Sequence, residues 1–160
     1  MSFFDRHFAH WPPGVPKALT LPRTSLYYNL EVSARRFPDK AAIVYYGSSI
    51  SYAALEREAT ALAGFLQQRC GVKRGDRVIL YAQNSPQFII GYYAILRADA
   101  VVVPVNPMNK SEELAHYIGD SDARVAITAQ ELFKEIEPHL GKGLDHCIFA
   151  DRIIMHALEE

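Results

Sequence analysis

ILRADAVVVPVNP, Ile95 to Pro107, is the stretch on which the reading of the fold turns. A short apolar run, Ala100 to Val103, stops abruptly at Pro-Val-Asn-Pro. It is too short to cross a membrane and rich in β-branched residues. It therefore predicts an interior strand of a parallel sheet, covered on both faces. Pro104 and Pro107 cannot donate ladder hydrogen bonds, so the strand is expected to give way to a loop there.

Working outward, the chain alternates between two rhythms. Upstream, GDRVILYA reads as a strand, and Ser85-Pro86 reads as a helix cap followed by proline at the first helical position. That helix should run to about Ala98. Downstream, Asn109-x-x-Glu112 has capping-box spacing before a helix, and ARVAIT reads as the next strand. Thr128-x-x-Glu131 repeats the device before a helix to about Leu140, and DHCIFA is one more strand. Strands and helices alternating with short connections imply right-handed crossovers. The fold class is α/β: a parallel sheet with flanking helices.

Nearer the N-terminus, Thr24 or Ser25 can cap a helix to about Arg36, with Leu26, Leu30, Ser33 and Phe37 near one face and Pro38 ending it. Residues 41–52 read as a short β-hairpin, with Gly47-Ser48 at the centre of a type II′ turn. Between Ser51 and Cys70, Tyr52, Leu55, Ala59, Leu62 and Leu66 mark a helical apolar stripe, with Glu56, Arg57 and Glu58 towards its outer side. Gly71 is placed to end that helix. The expected organisation is an aromatic, proline-rich arm over 1–24, an α/β unit over 25–150, and a truncated continuation over 151–160. Phe3, Phe4, Phe8 and Trp11 are expected to pack as an arm against the body, or else to meet a membrane or a second subunit.

Composition narrows the function by exclusion. The formal net charge of −1, with no basic stripe, argues against nucleic-acid binding. No segment approaches the ~20 apolar residues of a transmembrane helix. The N-terminus lacks the charged start and apolar core of a signal peptide, so a cytoplasmic protein is expected, a membrane-peripheral one being the alternative. Cys70 and Cys147 read as reduced, mostly buried thiols, and no histidine or cysteine spacing suggests a metal site.

Ligands of α/β sheets bind beyond the carboxyl ends of the strands. Two loops there hold candidates: Asn84 and Ser85 in QNSPQF, and Asn106, Met108 and Lys110 in PVNPMNK. Asn84 and Ser85, at a helix N-terminus, could hold an anion, but no glycine lets the backbone approach a phosphate, so neither loop is a phosphate cradle. The ordinary duties are a cap for Ser85, a turn for Asn84 and solvation for Lys110. No serine elbow or cysteine–histidine pairing appears, and no residue reads as catalytic.

From Phe37 to Thr128 the chain resembles the opening of the AMP-forming acyl-CoA synthetases, in the adenylate-forming enzyme superfamily. The landmarks are Pro38-Asp39-Lys40, Ser51-Tyr52-x-x-Leu55, Gly75-Asp76-Arg77-Val78, Asn84-Ser85 and Val103-Pro104-Val105-Asn106-Pro107, in order over about ninety residues. Asp99 stands where the family often has glycine, at a helix end that favours positive φ. The resemblance implies the N-terminal part of the adenylate-forming ligase fold. It also implies a parent enzyme that uses ATP, Mg and CoA to activate a long- or medium-chain fatty acid, or another carboxylic acid, through an acyl-adenylate. A homodimer is possible for such an enzyme. The triphosphate loop, the magnesium acid and the C-terminal lysine are not found in these residues, so this chain alone is expected to be inactive and to bind no cofactor. The alternatives are a freestanding, non-catalytic α/β interaction module, an aromatic-acid CoA ligase, or a fragment of a peptide-synthetase adenylation domain.

Overall fold

The computed structural model describes residues 3–150, apart from the side chains of Phe3 and Phe4. The expected continuation 151–160 and the packing of Phe3 and Phe4 lie outside the described residues. Four strands form the parallel sheet: β3 (Arg77–Tyr81), β4 (Val101–Val105), β5 (Val125–Thr128) and β6 (His146–Phe149). Their order is β4-β3-β5-β6. Separately, β1 (Ala41–Tyr45) and β2 (Ser48–Ser51) pair as an antiparallel hairpin. The helices are α1 (Leu26–Arg36), α2 (Tyr52–Gln68), α3 (Pro86–Arg97), α4 (Ser111–Ser121) and a single-turn α5 (Phe133–Ile136).

Period-two alternation assigns each strand's side chains to one of two cores. Val78 and Leu80 of β3 join Val125 and Ile127 of β5 beneath α1, α2, α3 and the hairpin. Ile79, Tyr81, Val105 and Ala126 face the other way, against Leu114 and Ile118 of α4 and Ile136. The sheet is thus covered on both faces in its middle, and there the expected α/β class is found.

The position of β4 corrects the opening reading. It is an edge strand with Val101 47% exposed, whereas the strands buried along their length are β3 and β5. Nor does it stop at Pro104, which pairs in register with Leu80. The Val101 amide donates to Asp76 O, so Val103 and Val105 also face β3 and Pro104 faces outward. A residue whose N–H would point away from the ladder loses nothing by being proline.

Helix starts agree with the sequence at Ser25, Ser51 and Ser85, whose hydroxyls accept from the amides of Tyr28, Ala54 and Phe88. Elsewhere the details shift. The α4 box is formed by Lys110 and Glu113 rather than Asn109 and Glu112: the Lys110 amide donates to Glu113 Oε2 at 2.5 Å. Thr128 is no cap; it is the fully buried last residue of β5. The helix expected to reach Leu140 breaks into a 3-10 turn at Gln130–Leu132, α5, and a second 3-10 turn at Glu137–His139, where Pro138 cannot continue the ladder.

In the hairpin the central turn residues are Tyr46 and Gly47, at φ +45° and +84°, which is the type I′ pattern and not II′. Helix α1 buries Tyr27, Leu30 and Ala34, leaving Leu26 and Phe37 exposed. The Tyr27 hydroxyl explains the choice: it meets Thr60 Oγ1 at 2.9 Å and Glu56 Oε1 at 3.2 Å on α2, which also draws Glu56 into the seam. Asp99 adopts φ +59°, the left-handed conformation expected at the end of α3. In the arm, Phe8 and Trp11 stack edge-on at 5.5 Å, and Trp11 Nε1 donates to Val15 O, so these aromatics pack on the arm itself.

Candidate functional site at the carboxyl edge of the sheet

The chain enters the sheet at β3, moves out to β4, then crosses to β5 on β3's other side. Helix α3 covers one face and α4 and α5 the other, so the connections leaving β3 and β5 diverge to opposite faces of the sheet. In doubly wound sheets this switch point is where ligands bind. Ala82–Ser85 leave β3 there and Ala129–Gln130 leave β5, and the Ala129 amide donates to Tyr81 O at 3.2 Å.

Asn84 is exposed and Ser85 is half-buried, its hydroxyl occupied as the α3 cap. Both line a cleft of about 490 Å³ with Val44, Tyr45, Phe88 and Ile89, beneath the hairpin. A second cleft of about 520 Å³ adjoins it, sharing Ile43, Tyr45 and Pro86. The other two candidates do not join them. Asn106 and Met108 leave β4 towards α4, on the opposite face of the sheet, and neither lines the 490 Å³ cleft.

Around Asn106 and Met108 the structure adds residues that the sequence did not single out. The Tyr81 hydroxyl donates to Asn109 O at 2.6 Å, Asn109 Nδ2 donates to Tyr117 Oη at 2.9 Å, and Glu135 accepts from both the Lys110 ammonium and the Ser111 amide at 3.3 Å. His139 Nε2 lies 2.9 Å from Ser111 O and 3.0 Å from its hydroxyl. Apart from Asn109–Tyr117, eight residues apart, these contacts join positions 24 to 28 residues apart. No local spacing encodes them. Burial, then the carboxylates of Glu135 and Glu113, push the Tyr81 phenol above its ordinary range, keeping it a donor.

The loops leaving β3, β4 and β5 contain no glycine, and the Lys110 ammonium is engaged by Glu135. They cannot bring successive amides against a triphosphate, so the residues present do not by themselves fit ATP. Among the described residues no cluster of three or more His, Cys, Asp or Glu side chains is placed to hold a metal. Burial pushes the Cys147 thiol up to about 11 and raises the Cys70 thiol as well, which disfavours both thiolates near neutrality. No described helix is long and apolar enough to cross a membrane.

The AMP-binding enzyme family matches residues 30–156. The chain belongs to that family. Among curated AMP-binding enzymes, it is 40% identical over 125 residues to a long-chain-fatty-acid–CoA ligase of Bacillus subtilis, covering 78% of this chain and 22% of that protein. A Salmonella typhimurium long-chain-fatty-acid–CoA ligase is 36% identical over 140 residues, covering 86% of this chain and 25% of that one. The chain therefore spans about a quarter of the length of these relatives. Among solved AMP-binding enzymes, a long-chain-fatty-acid–CoA ligase from Archaeoglobus fulgidus superposes with a TM-score of 0.77 at 27% identity, covering 90% of this chain and 32% of that one. The anthranilate CoA ligase AuaEII, in complex with anthranoyl-AMP, gives 0.74 at 25% identity, covering 79% of this chain and 25% of that one. In this member of the family Val105 is the last residue of β4, and Asn106-Pro107 opens the loop that leads to α4.

Proposed function

We propose that this chain is the N-terminal scaffold of an ATP-dependent, AMP-forming carboxylate–CoA ligase whose acid is a long- or medium-chain fatty acid. The observation that carries the reading is the 40% identity over 125 residues to a ligase named for long-chain fatty acids. In such an enzyme Mg-ATP activates the carboxylate as an adenylate, and CoA then takes the acyl group. The described residues contribute the central strands and the switch point, and Asn84, Ser85, Asn106 and Met108 are proposed to line substrate surface. By itself the 160-residue chain is proposed to be inactive. A cytoplasmic or membrane-peripheral homodimer is the proposed working form.

The test is pyrophosphate release by the complete protein encoded by the source gene, with palmitate, decanoate, anthranilate and amino acids as substrates. Fatty-acid-dependent release that yields the acyl-CoA supports the reading. Turnover of anthranilate alone would favour the aromatic reading that AuaEII suggests, and turnover of amino acids alone a peptide-synthetase one. A reading frame closing near codon 160, with no turnover of any acid, would leave a non-catalytic interaction module and overturn the proposal.

A further inference from the structure

The arm before α1 differs from the rest of the chain in charge and in cover. Between Asp5 and Glu31 there is no carboxylate, while Arg6, Lys17 and Arg23 all fall there. The whole chain has a formal net charge of −1, so those three cations leave the remainder at −4. Such asymmetry within one chain points to an anionic partner for the basic segment. Cover changes in the same place. The 3-10 helix Phe3–His10 opens a knot of rings in which Phe8 and Trp11 stack, and the Lys17 ammonium lies 5.3 Å from the centre of the Phe8 ring. Beyond that knot the apolar residues are bare. Leu19 is 88% exposed and Leu21 75%, and Val15 and Leu26 are open to solvent as well.

A protein partner suits this segment poorly. Pro12, Pro13, Pro16 and Pro22 lack the N–H that a strand needs, so the arm cannot extend a sheet edge such as β4. A stable protein interface takes a shaped patch of ~800 Å² on each side, and the arm lines neither of the clefts described above. A bilayer asks for no matching shape. Leucines enter its headgroup region one by one, while lysine and arginine stay with the lipid phosphates.

We propose that residues 15–26 dock on an anionic lipid surface, with Lys17 and Arg23 against the headgroups and Val15, Leu19, Leu21 and Leu26 at the acyl boundary. The acidic remainder stands away from that surface. This deepens the membrane-peripheral form proposed above and rests on that part of the reading.

The experiment is flotation of the complete protein encoded by the source gene with vesicles of phosphatidylcholine, with and without phosphatidylglycerol. Binding is expected to the anionic vesicles and should fall as salt rises. The pair Lys17→Ala and Arg23→Ala should weaken it about 25-fold, roughly fivefold for each cation. The pair Leu19→Ser and Leu21→Ser should weaken it about tenfold or more. All four side chains are exposed, so neither pair should alter the far-ultraviolet spectrum. No binding to either vesicle would overturn the proposal, the arm then being covered by another part of the protein. Binding that survives both pairs of substitutions, or that ignores phosphatidylglycerol, would overturn it too. If the wild type does not float and the leucine pair turns a dimer into a monomer in sedimentation velocity, the arm belongs to a contact between copies instead. The assay contains no acid, ATP or CoA. Flotation by a protein inert in the pyrophosphate assay therefore sinks only the ligase chemistry, and an active enzyme that does not float sinks only this inference.

Discussion

Cys147 shows how far a single side chain's chemistry follows from where the sheet puts it. It lies on β6, packed with the core beneath α4, and burial lifts its thiol from an ordinary 9.0 to about 11. Two units correspond to roughly 100-fold less thiolate at pH 8 than in an unburied cysteine. Alkylation by iodoacetamide at that pH should be slower by about that factor in the folded chain than in urea, and equal rates would refute the burial argument. The sign of the linkage follows. A raised folded pKa contributes stability that is fully present below pH 9 and is lost as pH climbs through 11, so the urea midpoint should fall across that window and Cys147→Ala should flatten the fall. Tyr46 is the converse case, a residue whose backbone the sequence misleads about. Gly47 invites a turn with glycine in first place, but the strand register puts Tyr46 there instead, at φ +45°.

At the scale of elements, the contact of α3 with the sheet depends on having no side chain at Gly91. A Cβ there would stand 3.0 Å from Leu80 Cδ1 and 3.6 Å from Ile127 Cδ1. Gly91→Val should destabilise by ~1–3 kcal/mol through overpacking, read as a lower urea midpoint at constant slope. A neutral result would mean that α3 does not pack as described. Elements of this kind were largely legible in the sequence. The serine caps, the α2 stripe and the alternation of strands and helices are local patterns, and they fall where the residues put them. What was illegible is non-local. Whether Ala100–Val105 is central or at an edge depends on β5 crossing to the far side of β3, and apolar content cannot report that. The candidate site divides in the same way. Asn84 and Ser85 were singled out because a cap and a proline sit together, while Tyr81 and Glu135 were not, because they reach loop 106–111 only through the fold.

For the whole molecule, the decisive feature is an exposed valine-rich strand on one margin of the sheet. Val101 is 47% exposed on β4, with outward-facing backbone groups unpaired within this sheet. Such an edge is a template for pairing with another chain. The 160-residue chain should therefore self-associate with rising concentration, and Val101→Lys should suppress this in sedimentation velocity without changing the far-ultraviolet spectrum. Association that is indifferent to the lysine would place the contact elsewhere.

The strand order also constrains how the protein can be made. Helix α3 and β4 can close on β3 as soon as they emerge from the ribosome, but β3's other margin waits for Val125–Thr128, which come only after α4 has been synthesised. At ~5–20 residues per second, that wait lasts on the order of seconds. During it β3, whose Val78, Ile79, Leu80 and Tyr81 are all buried in the finished fold, stands half-paired, which makes this interval the one in which the nascent polypeptide most needs a chaperone.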